Sequence, residues 1–139
     1  MLKESLIEAT KFFAKDVLDS EVTLFESCPI DSFYAAKIAI SGDANYQIAV
    51  YINKQSLAKM AYLFLFEEDP DDATLTDLIK EITNLIVGKA KVIAAASGLS
   101  FDISTPDFIS DNTTVSENDM EINFMFEDQV FSIAAKAEA

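Results

Sequence analysis

Five positions between 77 and 91 carry the chemistry that this sequence can offer. Asp77, Glu81, Asn84, Gly88 and Lys91 follow one another at steps of four, three, four and three. On a helix they fall within roughly 80° of each other, so a carboxylate, an amide one turn on and a glycine one turn beyond share a line. The chain has no histidine and a single cysteine, Cys28. Ser–His and Cys–His nucleophile systems, His-ligated zinc, internal disulfides and cysteine metal clusters are therefore excluded. Any reaction must run on carboxylates, amides, hydroxyls, lysines or groups supplied by a partner. Gly88 disfavours a helix by about 1 kcal/mol relative to Ala. Its place in a polar stripe suggests that something approaches the backbone there. A solvated face with one tolerated glycine is the plainer account of the same pattern.

The stripe needs a long helix to hold it. Leu75, Leu78, Ile79, Ile82, Leu85, Ile86, Ala90 and Ile93 recur at helical spacing across residues 72–97 and form the opposite, apolar face. Asp71 or Asp72 can cap the N-terminus, and Gly98 stands where a left-handed C-terminal residue is wanted.

These residues carry a resemblance. Asp77-x3-Glu81-x2-Asn84, followed by Gly88-Lys89, resembles the signature helix of the CheC/CheX/FliY chemotaxis phosphatases. Those proteins remove the phosphoryl group from the phospho-aspartate of the response regulator CheY. Phe101-Asp102-Ile103-Ser104-Thr105-Pro106 looks like the strand that follows this helix in the CheX branch. The resemblance extends over nearly the whole chain in element order and is sharpest between Asp77 and Pro106. CheC-type members carry E-x-x-N on both long helices, whereas here the first offers Glu8-Ala9-Thr10-Lys11. The resemblance thus implies one site, as in CheX-type members, and a homodimer formed through sheet edges. An uncovered β-edge also invites pairing on physical grounds.

Composition bounds the rest. At 139 residues, half of them hydrophobic and eleven of them Phe, the chain 1–139 is expected to be one globular domain. Its net charge of −14 argues against nucleic acid and against an anionic membrane surface as partners. A basic protein patch, or a partner carrying a metal ion and a lysine, fits that charge. Glu4, Glu8 and Asp16 interrupt the apolar N-terminus, and the run from Ala61 to Phe66 is too short to span a bilayer, so a cytoplasmic protein is expected.

In chain order, residues 2–18 read as an amphipathic helix, with Leu2, Leu6, Ala9, Phe13 and Val17 on one side. Glu21 to Cys28 reads as a strand, with Cys28 a small buried or half-buried hydrophobe. Phe33–Ile40 and Tyr46–Ile52 form a hairpin around Ser41–Asn45. Asn53 caps a helix from Lys54 to about Phe66, and residues 67–72 make an acidic turn at Pro70. After the long helix come an extended segment from Leu99 to Ile109, a polar loop over 110–118, and a hairpin of Met120–Phe126 and Val130–Ala135 turning at 127–129. Lys136 to Ala139 reads as a frayed tail. The order helix, strand, hairpin occurs twice, joined by the short helix. The expected fold is α+β: one mostly antiparallel sheet with two long helices on one face and a pseudo-twofold repeat of helix plus three strands. The resemblance implies the same CheC/CheX-like architecture.

The chemistry that the resemblance implies follows from what an acyl phosphate needs: an in-line water and stabilised phosphoryl oxygens. A phosphorylated CheY-type response regulator would bring the phospho-aspartate, Mg²⁺ and a lysine, so this chain is expected to bind no cofactor or metal of its own. Asn84 would hold the attacking water, since an amide both donates and accepts. Glu81 would reach the partner's lysine. Asp77, Lys80 and Lys91 would add contacts, and Gly88 would let the partner's loops come close. Lys80 and Thr83 stand where many members have small residues. A second reading keeps the fold without turnover, as a receiver-domain or flagellar-switch binding module.

Overall fold

A computed structural model describes residues 2–25, 33–109, 120–126 and 129–137. Helix α1 (Leu2–Asp16) buries Leu2, Leu6, Ala9 and Phe13, the spacing that its sequence predicts. The chain leaves the helix two residues earlier than expected and turns through Asp19 at φ 50°, a left-handed geometry that Asp tolerates. Strand β1 (Thr23–Phe25) follows, then the hairpin of β2 (Phe33–Gly42) and β3 (Tyr46–Asn53). Residues 26–28 of the expected first strand, Cys28 among them, lie outside the described residues. Gly42 is required where it stands: φ is +138°, and a Cβ there would meet Ser100 O at 2.8 Å.

Helix α2 (Lys54–Leu65) is capped by the Asn53 side chain, which accepts from the Ser56 N–H at 2.8 Å. Helix α3 (Asp72–Ala96) is capped by Asp71, which accepts from the Thr74 N–H at 2.8 Å. That hydrogen bond holds the Asp71 carboxyl below its ordinary pKa. Asp72, the other candidate cap, instead accepts from the Tyr34 hydroxyl at 2.5 Å. Gly98, at φ +91°, closes α3 as expected: its N–H donates to Ala95 O at 3.1 Å, and Leu99 N–H donates to Ala94 O at 2.9 Å.

The single extended segment expected over 99–109 is two short strands, β4 (Phe101–Ile103) and β5 (Asp107–Ile109), both paired with β2. Pro106 has no N–H to give a ladder and breaks the strand. Between the two strands the Ser104 hydroxyl accepts the Ala39 N–H at 2.9 Å, in place of a backbone carbonyl. Strands β6 (Met120–Phe126) and β7 (Gln129–Ala137) form the second hairpin. Lys136 and Ala137 are not frayed, since they pair with Gln47 and Tyr46 of β3. The polar loop over 110–118, turn residues 127–128 and residues 138–139 lie outside the described residues.

The seven strands make one antiparallel sheet in the order β1-β6-β7-β3-β2-β4, with β5 beside β2. Exchanging β1 with β4, β6 with β2 and β7 with β3 returns the same order reversed. The two halves are therefore related by a pseudo-twofold between β3 and β7, and each lends its short strand to the other's edge. Ile48, Val50, Ile52, Ile122, Phe124, Phe126 and Ile133 alternate onto the helix-covered face. Leu57, Met60 and Ala61 of α2 join the same core, so three helices cover this face and not only the two long ones. The reverse face carries small residues, with Ala35, Ala49 and Ala134 buried beside Tyr51, Phe33 and Ile109. Burying the apolar side of α3 against α1 and β2 turns its other side to solvent.

Candidate active site on the central helix

That outward side carries the polar stripe. Asp77 and Glu81 are exposed, and Asn84, Gly88 and Lys91 are half-buried. Asp77 and Glu81 lie in the N-terminal half of α3 with Lys80 between them, and Lys91 lies toward its C-terminal end. Among the described residues, neither Glu81 nor Asn84 has a hydrogen-bond or ion-pair partner. An exposed carboxylate and a half-exposed amide are thus available on one face of a rigid helix. A Cβ placed on Gly88 would meet nothing within 4 Å. No neighbour among the described residues requires the glycine, although it weakens the helix by about 1 kcal/mol.

The flanking lysines have other engagements. Lys80 lies about 60° around the helix from Asp77 and pairs with it at 3.7 Å, flanking the stripe. Lys91 pairs with Asp102 of β4 at 3.7 Å. Both pairs are solvent-accessible and hold their side chains only weakly. Thr83 is not on the stripe at all. It is fully buried, and its hydroxyl donates to Ile79 O at 2.7 Å, so it presents nothing outward.

Three contacts around the stripe have no signature in the sequence. Lys89 lies 4.0 Å from the ring centroid of Phe12, a cation–π contact that ties α3 to α1 beside Gly88. Asp102 is the partner of Lys91. Tyr34 of β2 anchors the start of α3 through Asp72, and this hydrogen bond, followed by burial, pushes the phenol pKa up to about 12. Each joins residues far apart in the chain, and no local pattern signals such pairs.

Among the described residues no group of three His, Cys, Asp or Glu side chains is placed to hold a metal ion. No described helix is long and apolar enough to cross a membrane. The arrangement presents an acceptor carboxylate and a donor–acceptor amide to solvent on one face of α3.

The fold belongs to a class already known in structure. The chain is similar to the chemotaxis protein CheX of Vibrio vulnificus, with a TM-score of 0.87 at 20% identity over 99% of this chain and 96% of that one. It is also similar to CheX of Desulfovibrio desulfuricans, with a TM-score of 0.80 at 21% identity over 99% of each chain. A third similar structure is CheX of Borrelia burgdorferi, solved as a complex of CheX with CheY, BeF3 and Mg²⁺ (TM-score 0.77, 18% identity, 100% of this chain and 99% of that one). At such identities the likeness establishes the fold. No curated protein matches the sequence. Residues 34–127, more than half of the chain, match the family described as chemotaxis phosphatase CheX, and the chain belongs to that family.

Proposed function

We propose that this protein dephosphorylates the phospho-aspartate of a CheY-type response regulator in chemotaxis signalling. The observation that carries the proposal is the pair Glu81 and Asn84, whose side chains have no hydrogen-bond or ion-pair partner among the described residues and lie on the outward face of α3, in a chain of the CheX family. The Borrelia relative in complex with CheY supports a receiver domain as the partner.

In this reading α3 docks across the partner's phosphorylation site. The Asn84 amide accepts from and donates to one water, holding it in line with the phosphorus. Its contribution is positioning, which can be worth several kcal/mol of a barrier. Glu81 binds the partner's lysine and fixes the register of the helix, with no proton transfer asked of it. The partner supplies Mg²⁺, which neutralises phosphoryl charge. Gly88 leaves room for the partner's loops, while Asp77 and its companion Lys80 extend the contact. Lys91 can join only by leaving Asp102. The chain pairs with a second copy through a sheet edge, where β1 and β4 each have one side unpaired among the described residues.

The test is phosphate loss from a phosphorylated cognate response regulator. Wild type is expected to accelerate it. Asn84→Ala is expected to lower the turnover by about 100-fold or more while still binding the partner, and Glu81→Ala to weaken binding as well. Binding without acceleration in wild type would remove the enzyme and leave a receiver-binding module on the same fold.

A further inference from the structure

The C-terminal end of α2 has a side chain that its own chain does not use. Tyr62, Leu65 and Phe66 sit at i, i+3 and i+4, and are 47%, 41% and 84% exposed. Phe66 closes the helix: its N–H donates to Tyr62 O at 3.1 Å, and the N–H of Glu67 reaches Ala61 O at 3.5 Å. Its backbone is left-handed, at φ 58° and ψ 31°. Glycine fills that position without strain, as Gly98 does after α3, whereas an L-residue there gives up on the order of 1 kcal/mol. With 84% of its surface in water, the ring recovers little from packing. Lys59 lies 5.8 Å from the Tyr62 ring centroid, and the Leu65 and Phe66 side chains lie beyond it. Single exposed hydrophobes are ordinary, but three within one turn, ending in a strained aromatic, mark an interaction surface.

The surroundings select the occupant. Glu67, Glu68, Asp69, Asp71 and Asp72 follow directly, and all are exposed. Among the described residues the side chains of Glu67, Glu68 and Asp69 have no hydrogen-bond or ion-pair partner. A second copy would set these carboxylates against their own kind, in a chain of net charge −14. The complementary surface is a protein face with an apolar pocket rimmed by Lys or Arg. The acidic turn links Phe66 to the start of α3, and from Asp72 to Asn84 is about 18 Å along the axis. A standard interface of about 800 Å² per partner is roughly 30 Å across and can include both.

We infer that Tyr62, Leu65 and Phe66, with the carboxylates of 67–69, form the outer part of the docking surface for the same receiver domain that meets Asn84. This rests on the proposed function and adds to it a second, non-catalytic anchor.

The experiment titrates the full-length chain with the cognate receiver domain loaded with BeF3 and Mg²⁺, and records thermal stability in parallel. Phe66→Gly is expected to leave the Tm unchanged or higher, because it relieves the left-handed strain, while weakening the Kd by about tenfold. A Glu67→Gln/Glu68→Gln/Asp69→Asn variant, which leaves the backbone alone, is expected to weaken binding and flatten its salt dependence. Equal binding by wild type and Phe66→Gly overturns the inference and leaves the proposed function standing. A fall in Tm with unchanged Kd also overturns it, by giving Phe66 a role inside the chain. Self-association lost in Phe66→Gly, with receiver binding intact, assigns the patch to a second copy and overturns it too. If the wild type binds no receiver and dephosphorylates none, the proposed function fails first and this inference with it.

Discussion

The two halves of the molecule share one scaffold, and α1 and α3 show where they part. An offset of 73 residues aligns them. Thr10 and Thr83 are both fully buried, and each donates its hydroxyl to the carbonyl four residues back at 2.7 Å. Leu6 and Ile79 are both fully buried, and Glu8 and Glu81 are both exposed. The inward faces of the two helices are thus near copies in burial and bonding. Along the stripe Glu4 and Glu8 match Asp77 and Glu81 in charge, and the outward faces then diverge: Lys11 stands where α3 has Asn84, Lys15 where it has Gly88, and Leu18 where it has Lys91. Fold constrains what points inward, and the difference in proposed function lies in what points outward.

That comparison can be broken at its shared part first. Leu6→Ala and Ile79→Ala are each expected to cost about 2–5 kcal/mol, because both delete buried methyl groups from one continuous core. Urea unfolding midpoints measure this. A loss confined to one of the two would show that the halves are not equivalent in packing.

The outward difference is sharpened by exchanging glycine. Gly88→Ala is expected to stabilise the protein by about 1 kcal/mol, since its Cβ meets nothing and the helix gains propensity. The same substitution is expected to weaken receiver binding. On α1, Lys15→Gly is expected to destabilise by about 1 kcal/mol with no effect on binding. Paired thermal melts and titrations check both. Unchanged binding by Gly88→Ala would return the glycine to a tolerated residue on a solvated face.

The smallest expected effect concerns the anchoring of α3 alone. The Tyr34 phenol has its pKa raised to about 12 by donating to Asp72. Its contribution is therefore complete below the unfolded value near pH 10 and is lost as the pH rises through about 12. Stability measured across that window is expected to fall more in wild type than in Tyr34→Phe. At the acid end, the lowered pKa of the Asp71 cap gives stability above its unfolded value that disappears as the pH falls through the folded one. Asp71→Ala is expected to remove that dependence.

Much of the fold and of the site is legible in the sequence because it is local. The 3.6-residue period of α3 places Asp77, Glu81, Asn84 and Gly88 on one line whatever the helix packs against. Asn53, Asp71 and Gly98 announce helix ends because capping is chemistry between near neighbours. Alternation in 120–126 sends Ile122, Phe124 and Phe126 inward. The local signal gives out where distant partners decide. Lys136 and Ala137 look like a tail until β3 pairs with them. Pro106 marks the extended segment as special but does not reveal that β2 holds both of its pieces.

The sequence by itself determined the stripe, the caps, the two-part element order and the exclusion of histidine and cysteine chemistry, since each depends on residue type and spacing within a few turns. Only the tertiary structure decided that Thr83 points into the core, that Lys91 and Lys89 are drawn to Asp102 and Phe12, and that Glu81 and Asn84 find no hydrogen-bond or ion-pair partner among the described residues. The reason is physical. A helix wheel gives the order of side chains around an axis, but which of them remain unsatisfied is settled only when the neighbouring elements arrive and take their share.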